Sequence, residues 1–244
     1  MSLGTAQFNL HQLMGSLRTV EETPAGLLKK ETLPVWPFVT ISRQAGAGGI
    51  KFGHLLADRL NRLQPHQHPW HCLYRELVQR IAADHHLSTD LIDSLQKSSH
   101  TWIEEFLGGL SHTDHSPSEL AVLRRVMQTM RALARAGHVI LVGLNGVLMT
   151  RDMPGGLHVR IIAPFEWRVQ NLAKNDGLPE KDAREKVRLL DQDRNAFANQ
   201  YWPHLPDRTE IFHLTLNAGL LTEEQMADCV MPLIGAPMPH GTRA

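Results

Sequence analysis

Residues 36–51 read Trp36-Pro37-Phe38-Val39-Thr40-Ile41-Ser42-Arg43-Gln44-Ala45-Gly46-Ala47-Gly48-Gly49-Ile50-Lys51. The run Trp36–Ser42 is apolar and β-branched, the composition of a buried strand. A glycine–alanine turn over Ala45–Gly49 follows at once. From there Ile50, Phe52 or Gly53, Leu56, Leu60 and Leu63 recur at helical spacing. In a strand, glycine turn and helix in that order, the N–H groups of the turn and of the first helical residues converge, and the helix dipole favours an anion there. Ser42, Arg43, Gly46, Ala47, Gly48, Gly49 and Ile50 are therefore the expected phosphate-binding residues.

The turn departs from the usual phosphate-loop pattern G-x-x-x-x-G-K-[ST]. Laid on it, Gly48 takes the second glycine and Arg43 the first, Gly49 stands at the lysine, and Ile50 replaces the magnesium-binding hydroxyl. Positive charge must come from elsewhere. Arg43 at the strand end and Lys51 in the first helical turn are the candidates, in that order; the alternative is that both point into water.

Outward from the turn, strands and helices alternate. A second strand is expected near Trp70–Leu73, with helices over Tyr74–Ala83 and from Ser88 to about Leu107. Ser116-Pro117-Ser118-Glu119 combines a hydroxyl cap, proline at the first helical position and a glutamate, and starts a helix that ends at Gly137. His138–Gly143, Leu157–Ala163 and Ile211–Leu216 are aliphatic runs of the kind a central parallel strand shows. Helices are expected from Pro164, over Pro179–Tyr201, and from the capping box Thr222-Glu223-Glu224-Gln225 to near Ile234. The pattern implies a three-layer α/β/α sandwich with a parallel sheet. The chain divides into an N-terminal extension (1–35), one α/β domain (36–236) and a C-terminal tail (237–244).

The totals restrict the function classes. Twenty-five basic residues balance 25 acidic ones, which argues against a nucleic-acid partner. No apolar run of about 18 residues exists, so a membrane span is not expected. Two cysteines far apart, Cys72 and Cys229, with no secretory signal pattern, point to a reducing cytoplasmic setting. His66, His68 and His71, and the pair His112 and His115, lie in loop-like sequence without nearby cysteines, and no metal site is assigned to them. The helix expected over Ser88–Leu107 carries Leu91, Leu95, Trp102, Phe106 and Leu107, a face for the core or for a second copy of the chain.

Ile41-Ser42-Arg43 followed by Gly46-Ala47-Gly48-Gly49 resembles the opening of the cytidylate kinase-like family, whose members carry Ser-Arg-x-x-Gly-(Ser/Ala)-Gly-Gly here. Tyr74–Val78 resembles that family's Asp-Arg-Glu-Leu-Ile segment, and Val139–Gly143 its next strand. Ala163–Val169 is similar to its Ala-Pro-x-x-x-Arg-Val helix start. Gly177–Ala183 and Val187–Arg194 resemble the region before and within its lid. The likeness covers about residues 36–234. Two positions depart from the pattern: Tyr74 stands for an aspartate and Leu144 for an arginine.

The resemblance implies the fold of the P-loop nucleoside monophosphate kinases with an arginine-bearing helical lid. It also implies phosphoryl transfer from ATP, with Mg2+, to a nucleoside monophosphate or similar small acceptor. Arg184, Arg188, Asp191 and Arg194 share an arc of one helix face, where arginine forks suit phosphate oxygens and Asp191 would order them; an exposed face laced with ion pairs is the alternative. Arg43, Lys51, Arg188, Asp191 and Arg194 are the expected catalytic set, and Arg75, Asn145 and Arg168 the expected substrate contacts. Arg131 reads as decoration of a helix face. Three functions stay open: an active kinase, a nucleotide binder that has lost catalysis, and an interaction protein on the same scaffold.

Overall fold

The computed structural model describes residues 35–63, 68–74, 117–143, 145–201 and 209–236. Arg75, Leu144, His66, His112, His115, residues 1–34 of the extension, the helix expected over Tyr74–Ala83 beyond its first residue and the helix expected over 88–107 lie outside the described residues; Tyr74 itself is the last residue of a strand and not the first of a helix. Five parallel strands form one sheet: β1 (Phe38–Arg43), β2 (His71–Tyr74), β3 (Val139–Val142), β4 (Gly156–Ile162) and β5 (Leu214–Asn217), in the order β2-β3-β1-β4-β5. β1 is central, with Ile41 opposite Val142 on one side and Val159 on the other.

Strand alternation sorts the core into two layers. Val39 and Ile41, with Ile140, Val142, Leu157, Val159 and Ile161, pack against Phe52 and Leu56 of α1 (Gly49–Leu63) and against Met226, Ala227 and Val230. The opposite face carries α2 (Pro117–Ala136) and the five-residue α3 (Gly146–Thr150), both in contact with β1. The short α3 has no sequence signal of its own, because Val147-Leu148-Met149 reads equally well as strand. Asn145, in the left-handed region at φ 52° and ψ 38°, turns the chain into it.

Two helices complete the domain on the β4 side, α4 (Phe165–Asp176) and α5 (Glu180–Tyr201). They enclose a small core of Ala45, Val169, Ala183 and Val187. The last helix, α6 (Glu223–Val230), begins in a complete capping box: Thr222 accepts from the Gln225 N–H and Gln225 accepts from the Thr222 N–H. It ends earlier than expected, passing into a 3-10 turn over Met231–Leu233 that carries a proline. β5 also starts late, because the residues from Thr209 to Ile211 form a turn before pairing begins at Leu214.

Arg131 corrects the sequence reading. It is buried, donates to the Met149 carbonyl at 2.8 Å and grips Asp152 through both guanidinium nitrogens at 2.7 and 2.8 Å, holding the end of α3 to α2. A lone arginine on an amphipathic helix looks solvated until the element that covers it is known.

Behind β1 lies a buried imidazole. His158 is bonded through Nδ1 to the Thr40 hydroxyl at 2.8 Å and stacked on His213, with Phe38 at its edge. Burial first, and then the neighbouring His213, bring its pKa down to about 4, while Asp152 pulls the other way. The pKa of His213 is also lowered by burial. Between about pH 6.5 and 4 the unfolded chain therefore binds more protons than the folded one, so stability falls as pH falls. Urea midpoints are expected to report a loss of about 2 kcal/mol from His158 on going from pH 7.5 to 5, and His158→Gln to flatten the slope by that amount.

Candidate functional site

The site is built on the turn between β1 and α1. Gly46 and Gly48 both take positive φ, 76° and 79°, a conformation that costs other residues a steric penalty. A Cβ on Gly46 would lie 2.4 Å from the Arg168 carbonyl oxygen, so α4 presses directly on the turn.

Among the described residues, the hydrogen bonds that other elements make to the turn come from β4 and the helices beside it. Gln44 donates its N–H to the Ile161 carbonyl at 3.1 Å, and its side-chain oxygen accepts from Ala163 N–H at 3.0 Å. Arg194 donates to the Arg43 carbonyl at 3.3 Å, Arg168 to the Ala45 carbonyl at 3.0 Å, and Asn171 to the Gly46 carbonyl at 2.7 Å. The Ala45 N–H is taken by Asp191 Oδ1 at 2.8 Å, and Asp191 Oδ2 pairs with Arg168 at 2.5 Å. By contrast, the N–H groups of Gly46, Gly48, Gly49 and Ile50 reach no acceptor among the described residues. The first N–H groups of a helix lack intrahelical partners by geometry and carry its positive dipole end. The turn thus has its carbonyls bound backward and amides left to the front.

Arg43 runs across this front. Its stem lies on Gly49, where a Cβ would come 2.8 Å from Cγ, and its guanidinium lies on Gly143 at the end of β3, where a Cβ would come 2.3 Å from Nη1. Two glycines, one at φ 87°, provide the channel. Ser42 is half-buried beside it, and Ile50 is exposed in the first turn of α1. Lys51, 72% exposed, pairs with Glu223 of α6 at 2.9 Å rather than standing by the turn. Asn145 is half-buried just past the end of β3.

Arg168, expected to touch substrate, is instead buried and committed within the protein: its Nε donates to the Ala163 carbonyl and its Nη1 to the Ala45 carbonyl and the Asp191 carboxylate. On α5, Arg184 is held by Glu166 in a two-point contact and by Glu180, and these bonds keep Glu166 below the usual carboxylate range. Arg188 is exposed, with its guanidinium 5.6 Å from the Phe165 ring. Sequence reasoning missed Gln44 and Asn171. The signal for Asn171 is its place three residues after Arg168 on one face of α4.

Residues 38–219 match the cytidylate kinase-like family. The chain belongs to that family. It is also similar to an uncharacterized protein from Eubacterium ventriosum, with a TM-score of 0.62, 18% identity, and coverage of 82% of this chain and 99% of that one. With the shikimate kinase of Acinetobacter baumannii in complex with shikimate the TM-score is 0.42 at 16% identity, over 82% of this chain and 94% of the kinase. A stretch of 104 residues is 33% identical to the uronate isomerase of Corynebacterium glutamicum; it makes up 43% of this chain and a fifth, 20%, of that protein's length. The fold is the α/β P-loop kinase type, and no described helix is long and apolar enough to cross a membrane.

The family implies magnesium, and the residues of the site do not fit a protein-held ion. Magnesium takes carboxylate, hydroxyl and water oxygens. Among the described residues Ile50 offers none, β3 runs out to Gly143 against a guanidinium, both Asp191 oxygens are engaged, and Ser42 brings a single hydroxyl. Among the described residues no group of three or more acidic, histidine or cysteine side chains gathers to hold a metal.

Asp191→Ala leaves a buried guanidinium without its counter-charge and the Ala45 N–H without its acceptor. The expected cost is about 3 kcal/mol in the urea-unfolding free energy. Asp191→Asn, which keeps an acceptor for Ala45, is expected to cost less.

Proposed function

We propose that this chain binds a nucleoside triphosphate by its phosphates at residues 44–50 and transfers the terminal phosphoryl group to a nucleoside monophosphate or similar small acceptor. The observation that carries the reading is the polarity of the turn: three carbonyls tied to Arg194, Arg168 and Asn171, and four N–H groups unclaimed among the described residues. Such transfer needs positioning and positive charge and no covalent nucleophile. Arg43 supplies the cation nearest the turn, Arg188 and Arg194 approach the transferring phosphate from α5, and Ser42 and Ala47 line the loop. Arg75 and Asn145 serve the acceptor side. ATP is the donor in this reading. A zero net charge suits small-molecule partners better than nucleic acid or a membrane surface, and the reduced cytoplasm is the compartment that supplies them.

A second reading, nucleotide binding without transfer, is favoured by one observation. The position of the loop lysine holds Gly49, and the adjacent Lys51 is drawn to Glu223. Thermal unfolding with ATP and a panel of nucleoside monophosphates, followed by measurement of ADP formation, separates the two. ATP at 100 times its dissociation constant is expected to add about 2.7 kcal/mol of stability, with ADP formed when an acceptor, CMP first in the panel, is present. Stabilisation without ADP from any acceptor selects the second reading. No stabilisation by any nucleotide removes both.

A further inference from the structure

The end of β3, beside the phosphate turn, is filled by a cation that belongs to the protein. The Arg43 guanidinium rests on Gly143 so closely that any side chain there would overlap Nη1, and its stem rests on Gly49 at the start of α1. Arg194 bonds the carbonyl of the same residue, adding a second guanidinium at the end of β1. Among the described residues, oxygens that would hold a divalent ion are few at the same place: Ile50 has no hydroxyl, Asp191 is occupied on both oxygens by Ala45 and Arg168, and Ser42 brings one hydroxyl.

We propose that Arg43 takes the electrostatic place of the metal at this turn, so that a nucleoside diphosphate or triphosphate binds as the metal-free anion. This rests on the phosphate-turn reading above and adds which ionic form of the ligand is recognised. A guanidinium keeps its charge at any working pH, is weakly hydrated, and presents a planar fork that matches two phosphate oxygens. Magnesium would have to coordinate the same oxygens while standing near a fixed positive group, and it sheds water reluctantly. The two cations compete for one anion, and the arginine is already in position.

The test is calorimetric titration of the full chain with ADP and with pyrophosphate, in EDTA and in excess magnesium. The expected result is binding in EDTA at least as tight as in magnesium. Arg43→Ala is expected to weaken binding in EDTA about tenfold or more, the range for a hydrogen bond to a charged group, and Arg43→Lys to recover part of it. Ligand-free melting curves of both variants check that the fold is kept. Binding that is tenfold tighter with magnesium, or Arg43→Ala binding in EDTA as tightly as the parent, overturns this inference and leaves the phosphate-turn reading standing. Absence of binding in both media overturns the two together.

Discussion

The backbone of one residue and one ion pair set the shape of the site. Asp191 takes the N–H of Ala45, Arg168 gives to its carbonyl, and the two side chains pair with each other at 2.5 Å. Both polar groups of a single residue are thereby fixed by a charge pair drawn from α4 and α5. A buried pair of this kind is weak evidence for net stability, since desolvation offsets much of the attraction. Its effect is on conformation. With Ala45 held, and with Arg43 and Gly46 carbonyls bound by Arg194 and Asn171, the turn cannot flip its peptides. The N–H groups of the following residues are directed forward before any ligand arrives, which is the kind of preorganisation that electrostatic catalysis and anion binding both require.

The same contacts bind α5 to the phosphate turn at two points, Asp191 and Arg194, roughly one helical turn apart. Arg188, on the N-terminal side of Asp191, lies against Phe165 and makes no ion pair or hydrogen bond among the described residues. The helix therefore has an anchored middle and a less committed arginine ahead of it.

Much of the fold was legible in local sequence. β1, its glycine turn and α1 follow from composition and period alone, and the capping box at Thr222 marked the start of α6 to the residue. Sheet order was not legible, since parallel strands are joined through helices and their lateral sequence is a tertiary matter. The site was legible in part. The glycines and Arg43 could be picked out because they are contiguous. Arg168 and Asp191 were visible as charged residues, yet both also bond the backbone of Ala45, more than 100 residues away, which no spacing rule reports. Arg131 failed for the same reason: its partners, Met149 and Asp152, lie in and just after a helix the sequence did not announce.

The missing loop lysine and the arginine at the strand end are one structural fact. Arg43 crosses the first residue of α1 so closely that a Cβ on Gly49 would stand 2.8 Å from its Cγ and 3.0 Å from its Cβ. A lysine at that position begins with such a Cβ, so the two cations exclude each other while Arg43 keeps this course. Gly143 repeats the argument at the far end, where the guanidinium fills the space a side chain would use. Charge at the turn has thus been moved from the helix to the strand, and from an ammonium on a flexible stem to a guanidinium confined between two glycines. A confined guanidinium loses less rotamer freedom when an anion arrives. In the proposed reaction it would stay in place as a phosphate moved from donor to acceptor, and the moving charge would fall to the arginines of α5.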